Sequence, residues 1–214
     1  HIEILLRLKM DGNLLSPNVF LPAVERFRLT DKVDYWVVSR TFEWLEGQSE
    51  LWAKQVIAIN LSGESITNDS FIQSILDCHK NCSFPASAIC FEITETAAIA
   101  DLPKATEMVD KLKQAGFSFA LDDFGKGFST FSYLKSLPAQ YIKIDGSYVE
   151  NILSNESDLS IVKAIASMAK SMEMQTIAEF VQCDQSVDLL DELGVDFVQG
   201  YGIAMPAPLE EFVN

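Results

Sequence analysis

Gln55-Val56-Ile57-Ala58-Ile59-Asn60-Leu61-Ser62 decides the fold. Side chains alternate along an extended strand, so Ile57, Ile59 and Leu61 share one face while Ala58, Asn60 and Ser62 share the other. Residues 89–95 divide in the same way, with Ile89, Phe91 and Ile93 opposite Cys90, Glu92 and Thr94. In 141–145, Ile142 and Ile144 oppose Lys143 and Asp145. A doubly wound sheet covers both faces with helices, and its strands are apolar throughout. One apolar and one polar face fits a closed sheet instead: the apolar face meets an outer ring of helices and the polar face points inward.

Further strand-like stretches lie at 3–9, 117–123, 174–179 and 197–202, giving seven in all. Between them, 71–80, 103–115, 128–136, 159–171 and 186–193 carry apolar residues at three- and four-residue spacing, the mark of amphipathic helices. Strand–helix alternation implies a parallel sheet. The expected fold is α/β, a (β/α)8 TIM-like barrel, as a single domain over residues 1–214.

Composition bounds the function. With 48% hydrophobic and 22% charged residues, the chain reads as an ordinary globular domain. It has no apolar run long enough to cross a membrane, and its start, His1-Ile2-Glu3, reads as a strand rather than a signal peptide. A net charge of −15 argues against a protein that coats a nucleic acid polymer, but not against a small phosphate ligand approached through bound cations. Cys78 and Cys82 have zinc-like spacing but no second ligand pair follows, so ordinary reduced thiols and a cytoplasmic location are expected. Met168, Met172 and Met174 read as core, and Trp36, Trp44 and Trp52 as packing residues of a helical region.

Polar residues gather at or near the C-terminal ends of the strands: Asn60, Glu92 with Glu95, Asp122 with Asp123, Lys143 with Asp145, Glu179 and Gln199. In a barrel of this kind the active site lies at that end. Glu3, Leu5 and Arg7 share a face of the first strand. Any one such acid is usually solvated or salt-bridged; their joint placement is what carries meaning. Glu3, Glu92, Asp122, Asp123 and Glu179 converging on one mouth would repel one another unless cations intervene. Oxygen ligands with one Asn carbonyl point to Mg²⁺ or Mn²⁺ rather than zinc. Five carboxylates suit two ions, with Asp122-Asp123 supplying a bridge, and two-ion sites favour phosphoryl displacement. Lys143 adds a positive charge beside the phosphate or its attacking water.

Several ordered motifs resemble the EAL-domain family of cyclic di-GMP phosphodiesterases. Glu3-Ile4-Leu5-Leu6-Arg7 resembles E-A-L-L-R, Asn60-Leu61-Ser62 resembles N-L-S, and Glu92-Ile93-Thr94-Glu95 resembles E-x-T-E. Asp122-Asp123-Phe124-Gly125, with Gly127, Ser129 and Tyr133-Leu134, resembles D-D-F-G-x-G-x-S-x-x-x-Y-L. Lys143-Ile144-Asp145 and Gln199-Gly200-Tyr201 match K-I-D and Q-G-Y. The resemblance implies hydrolysis of one phosphodiester bond of cyclic di-GMP to linear pGpG, with two divalent cations. It places Glu3, Asn60, Glu92 and Asp122 on one ion, and Asp122, Asp123 and Glu179 on the other. Lys143 would contact the attacking water or the phosphate, and Glu95 would steady the loop after its strand. Arg7 would grip a substrate phosphate and Leu5 would lie against a guanine; Asp145 and Gln199 belong to the same substrate-binding mouth. Phe128 and Phe131, beside the Asp-Asp turn, are candidates for contact with a base. The family also implies an upstream sensor or diguanylate-cyclase-type (GGDEF) domain, and a homodimer.

Three departures stand out. Ile4 replaces Ala at an outward position. The pattern A-E-G-V-E reads Ala178-Glu179-Phe180-Val181-Gln182, so a neutral amide stands where the family has a second carboxylate. The strand of the Y-Y-Q-P-I type that precedes E-A-L has no counterpart, so the first, antiparallel strand of the barrel is expected to be missing from this chain. Gln182 and the missing strand are the grounds for a second reading, a weakened or inactive domain that acts as a cyclic di-GMP receptor.

Overall fold

The structure, a computed structural model, describes residues 1–126 and 131–213. Its main sheet has seven strands in the order β1-β4-β5-β6-β7-β8-β9. These are β1 (Ile2–Ile4), β4 (Ile57–Leu61), β5 (Ile89–Thr94), β6 (Ser118–Phe124), β7 (Tyr141–Ile144), β8 (Gln175–Ala178) and β9 (Phe197–Val198). Every neighbouring pair is parallel. The sheet curls into a half barrel, with β1 and β9 as its two edges. A short antiparallel hairpin, β2 (Leu8–Met10) with β3 (Asn13–Leu15), stands apart from it.

The period-two reading holds strand by strand. Ile57, Ile59, Leu61, Ile89, Phe91, Ile93, Ile142 and Ile144 belong to the large core between sheet and helices. Ala58, Cys90 and Ala120 form a separate small cluster on the opposite face, the inside of the curl. The ring helices form where capping and apolar spacing agree. Asn68 accepts hydrogen bonds from Ser70 N and Phe71 N at 3.1 and 3.3 Å and opens the helix Asp69–His79, which buries Phe71, Ile72 and Ile75. Asp101 caps Leu102–Gln114, whose Ala105, Met108, Val109 and Leu112 make an inward stripe. Asn155 caps Glu156–Ser171 in the same way. Aromatic rings tie helix to sheet: Phe42, on the helix Thr30–Leu45, stacks 6.4 Å from Phe117, which lies 5.2 Å from Phe91, itself 5.8 Å from Phe119, centre to centre.

Two expectations need correction. The stretch 3–9 is not one strand: it breaks after Ile4, and Leu8–Met10 belongs to the hairpin. The stretch 128–136 forms no amphipathic α-helix over its described part, which is the 3-10 helix Phe131–Lys135. Gly127, Phe128 and Ser129 lie outside the described residues, as does the side chain of Phe131. Trp44 and Trp52 pack against the core as expected, but Trp36 is 54% exposed. Met174 is buried, with Met168 and Met172 packed beside it. Cys78 and Cys82 are free and half-buried, and burial pushes the Cys82 thiol up to about 12, which leaves it inert at neutral pH. No helix among the described residues is long and apolar enough to cross a membrane.

Phe91 is fully buried at the centre of the aromatic stack. Phe91→Ala is expected to cost about 3–5 kcal/mol, read as a lower urea midpoint with an unchanged slope.

Candidate metal centre and substrate cleft

Lys143 sits on the inward face of β7 with a side chain only 1% exposed. Its Nζ lies 2.7 Å from Glu92 Oε2, 2.9 Å from Glu179 Oε1, 3.1 Å from Asp122 Oδ1 and 3.5 Å from Glu3 Oε2. Four strands thus aim a carboxylate at one ammonium. Burial alone would pull the lysine down, but Glu92, Asp122, Glu3 and Glu179 together hold it well above its ordinary value. The ammonium therefore keeps its proton. Burial pushes Glu92 up to about 8 and Glu179 up to about 7, with Lys143 opposing both. One cation cannot balance four acids in so dry a place.

Asn60 and Gln199 complete this first group. Asn60 Nδ2 donates to Glu3 Oε1 at 2.7 Å, and Gln199 Nε2 donates to Glu3 Oε2 at 2.6 Å, spanning the two edges of the sheet. Two oxygens of this group, Glu92 Oε1 and Asp122 Oδ1, are buried and accept no hydrogen bond among the described residues: Asp122 Oδ1 has the Lys143 ammonium at 3.1 Å as its ionic neighbour, and Glu92 Oε1 the His1 imidazole at 3.7 Å. Orphaned carboxylate oxygens facing a ring of further acids fit a bound cation.

The Asp-Asp pair reaches the mouth through a backbone irregularity. Against β7, residues Leu121 and Phe124 pair with Ile142 and Ile144, so β6 carries one residue too many and bulges. Strict alternation would send Asp123 outward, towards the helices. Instead Asp123 takes a left-handed φ of 54°, which short polar residues tolerate, and joins the acids at the rim. Asp145 caps the turn Gly146–Val149, accepting from Ser147 N at 3.1 Å and from Ser147 Oγ. Oxygens of Asp123, Asp145 and Glu179 all lie within 4.8 Å of one another, a group that could hold a metal ion. Asp145, expected on the substrate side, therefore stands with Asp123 and Glu179 rather than apart from them.

Glu95 is buried at the head of the helix Glu95–Ala100. It accepts from Gly125 N at 3.1 Å and from Tyr133 Oη at 2.8 Å, so it ties both ends of the segment after β6. Beside the acids opens a cleft of about 670 Å³, lined by Glu3, Leu5, Arg7, Glu179, Gln182 and Gln199 among others. Arg7 and Leu5 are exposed and line it, and the Arg7 guanidinium donates a hydrogen bond to the Leu6 carbonyl, at 2.8 Å. The rim depends on glycine. A Cβ on Gly202 would lie 2.5 Å from the Gln182 carbonyl carbon, so the segment after β9 presses directly on the backbone after β8. Gln182 opens onto the cleft and makes no hydrogen bond to Lys143 among the described residues. A separate apolar cleft of about 580 Å³, lined by Leu6, Phe20, Phe27 and Trp36, carries none of these acids.

Two site residues were not legible as such. Phe180 stands exposed at the rim with a φ of 57° and its ring against Gly146. Lys126 bridges Asp123 and Asp145; the available signal was a lysine three residues beyond the second Asp, which reads as an ordinary solvated turn.

A parallel sheet curled into a TIM-like half barrel, with acids gathered at its C-terminal mouth, defines the class. The EAL domain family model matches residues 1–206, and the chain belongs to that family. It is 41% identical over 213 residues to the cyclic di-GMP phosphodiesterase PdeB of Shewanella oneidensis, covering 99% of this chain and 25% of that protein. It is 34% identical to the cyclic di-GMP phosphodiesterase PdeF of Escherichia coli, covering 99% of this chain and 28% of the other. The chain thus spans about a quarter of the length of these relatives. Among solved structures, the PaMucR phosphodiesterase in complex with c-di-GMP superposes with a TM-score of 0.92 at 28% identity, covering 98% of this chain and 86% of that one. The Xanthomonas citri FimX EAL domain in complex with c-di-GMP gives 0.89 at 25% identity, with coverage of 96% and 81%.

The acids make the fold itself pH-sensitive. Glu92 and Glu179 have folded-state values above the ordinary 4.5, so between about 4.5 and 8 the folded chain binds more protons than the unfolded one. Their contribution is fully present below that window and is lost as pH rises through it. The melting temperature of the metal-free domain is expected to fall by on the order of several degrees from pH 5.5 to 8.5, and Glu92→Gln should flatten the slope. A melting temperature that rises over this range would overturn the electrostatic account.

Proposed function

We propose that this domain hydrolyses one phosphodiester bond of cyclic di-GMP, releasing linear pGpG, with two divalent cations, Mg²⁺ or Mn²⁺. The observation that carries the reading is the acid ring around Lys143, with its unsatisfied Glu92 and Asp122 oxygens, beside a cleft of about 670 Å³. Relatives and structural neighbours named for cyclic di-GMP supply the substrate. Glu3, Asn60, Glu92 and Asp122 would hold one ion; Asp123 and Glu179, with Asp122 between the two sites and Asp145 within reach, would hold the other. The ions supply Lewis acidity, activating water and stabilising charge on the phosphoryl oxygens.

The chain's own residues do the rest. Arg7, whose guanidinium is free of carboxylates among the described residues, grips a phosphate, with Leu5 against a guanine. Lys143 keeps its proton, so it acts as a fixed positive charge where negative charge grows, not as a base. Glu95 is a positioning residue: through Gly125 and Tyr133 it fixes the segment that presents Asp122 and Asp123. As water's oxygen bonds to phosphorus, the bond to the ribose 3′ oxygen breaks. That oxygen leaves with a proton, and the 5′ phosphate stays on the product.

Gln182 favours a second reading, a receptor that binds the nucleotide without turnover, because a neutral amide faces the cleft. The domain is further proposed to work in the cytoplasm, as a homodimer, joined to a sensor or GGDEF-type domain in its full-length protein. One relative is named a bifunctional diguanylate cyclase/cyclic di-GMP phosphodiesterase, which supports the last point.

Incubation of cyclic di-GMP with the domain and Mn²⁺ is expected to yield pGpG. Asp122→Asn should lower the rate by a factor of at least about 10². Gln182→Glu should change it less than tenfold. Binding without product in the parent chain, with turnover appearing in Gln182→Glu, would establish the receptor reading instead.

A further inference from the structure

Among the carboxylates that could hold the second ion, two are already taken by an ammonium. Lys126 Nζ lies 2.7 Å from Asp123 Oδ1 and 2.6 Å from Asp145 Oδ2. The third, Glu179, gives its Oε1 to Lys143 at 2.9 Å. The trio is therefore capped from two sides by lysines. The two caps differ in one respect: the Lys143 side chain is 1% exposed and has nowhere to go, while that of Lys126 is 55% exposed and can swing into water.

We propose that Lys126 is a built-in competitor of the second divalent cation: its ammonium fills the Asp123–Asp145 pair in the metal-free domain and must leave before an ion can bind there. This rests on the two-ion reading above. Space enforces the exchange. An Mg²⁺ ion binds carboxylate oxygens at about 2.1 Å, and oxygens within 4.8 Å of one another leave room for one cation between them. An ammonium hydrogen-bonded to two of these three groups occupies that room.

Charge sets the balance. The incoming ion carries two charges to the lysine's one, so it prevails at sufficient concentration, but each lost lysine contact raises the threshold. An exposed i,i+3 pair alone would matter little. The Asp145 contact is different, because that side chain is 5% exposed and a carboxylate there needs a partner. Lys126 thus serves two ends. It holds the Asp123, Asp145 and Glu179 group assembled without metal, and it moves filling of the second site to a higher metal concentration than filling of the first. Among the described residues, Glu3, Asn60 and Asp122 face no such removable cation, and Glu92 has beside the buried Lys143 only the His1 imidazole, at 3.7 Å.

The test is titration of this chain with MnCl₂, without nucleotide, reading free Mn²⁺ by electron paramagnetic resonance. The parent chain is expected to bind two ions, the second more weakly. Lys126→Met keeps length and loses charge; it should tighten the second site about tenfold and leave the first within twofold. Lys126→Arg should resemble the parent. In melting experiments Lys126→Met should destabilise the metal-free domain and leave the Mn²⁺-saturated domain unchanged. This also shows that the variant folds. Two ions bound with no tightening in Lys126→Met would overturn the proposal and leave the two-ion reading intact. Equal tightening of both sites would overturn it too, since that reports only the loss of one positive charge. A single ion bound by the parent and by Lys126→Met alike would overturn the two-ion reading, and with it the competitor.

Discussion

Everything at the mouth of this barrel depends on one buried ammonium. Lys143 reaches up from the floor of the sheet and meets acids from β1, β5 and β6 and the acid that follows β8. A lone lysine at 1% exposure is costly. So are carboxylates that share a recess. Each makes the other tolerable, and the strands that carry them are held in common register by that need. The compensation is incomplete. Glu92 and Glu179 keep raised proton affinities, and Glu92 Oε1 and Asp122 Oδ1 accept no hydrogen bond among the described residues. A site built this way stores a demand for further positive charge, and binding of a cation releases it.

The same demand explains why the two faces of the sheet are so different. Outside, Phe91, Phe117 and Phe119 stack between strands and helices and supply cohesion. Inside, small residues such as Ala58, Cys90 and Ala120 line the floor below Glu92 and Lys143. They leave room for the long side chains above them, so the polar centre sits high, at the ends of the strands. Stability comes from the outer layer and chemistry from the inner one, and a strand contributes to both because its side chains alternate.

Alternation is also why so much was legible in the sequence. Ile57, Ile59, Ile89 and Phe91 against Asn60 and Glu92 gave the sidedness of the sheet, and hence the barrel, without any structure. The reading stopped where the backbone departs from that rule. Residues 3–9 carry strand-like residues, but the chain turns after Ile4 into a hairpin, which period-two patterning cannot detect. The grouping of Asp123 with Asp145 depends on a bulge, and a one-residue insertion leaves no compositional trace. Lys126 escaped notice for a different reason. Its role comes from the fold of the turn after β6, whereas its sequence context is that of a solvated surface charge.

Strain and function coincide here. Asp123 and Phe180 both hold left-handed backbone conformations, at φ 54° and 57°, one within β6 and the other just after β8, the two strands that flank β7. For Phe180 that geometry is unfavourable in itself. It is accommodated because its side chain packs close against Gly146, where any Cβ would collide with it. Glu179, the residue after β8, falls on the same face as Ile177, the register partner of Lys143, so alternation alone points it at Lys143 and Asp145. Asp123 is turned inward from the opposite side by the bulge in β6. A bulge in one strand and plain alternation in the other therefore aim two carboxylates at a common point, and Gly146, directly after Asp145, leaves the room in which Phe180 stands beside them.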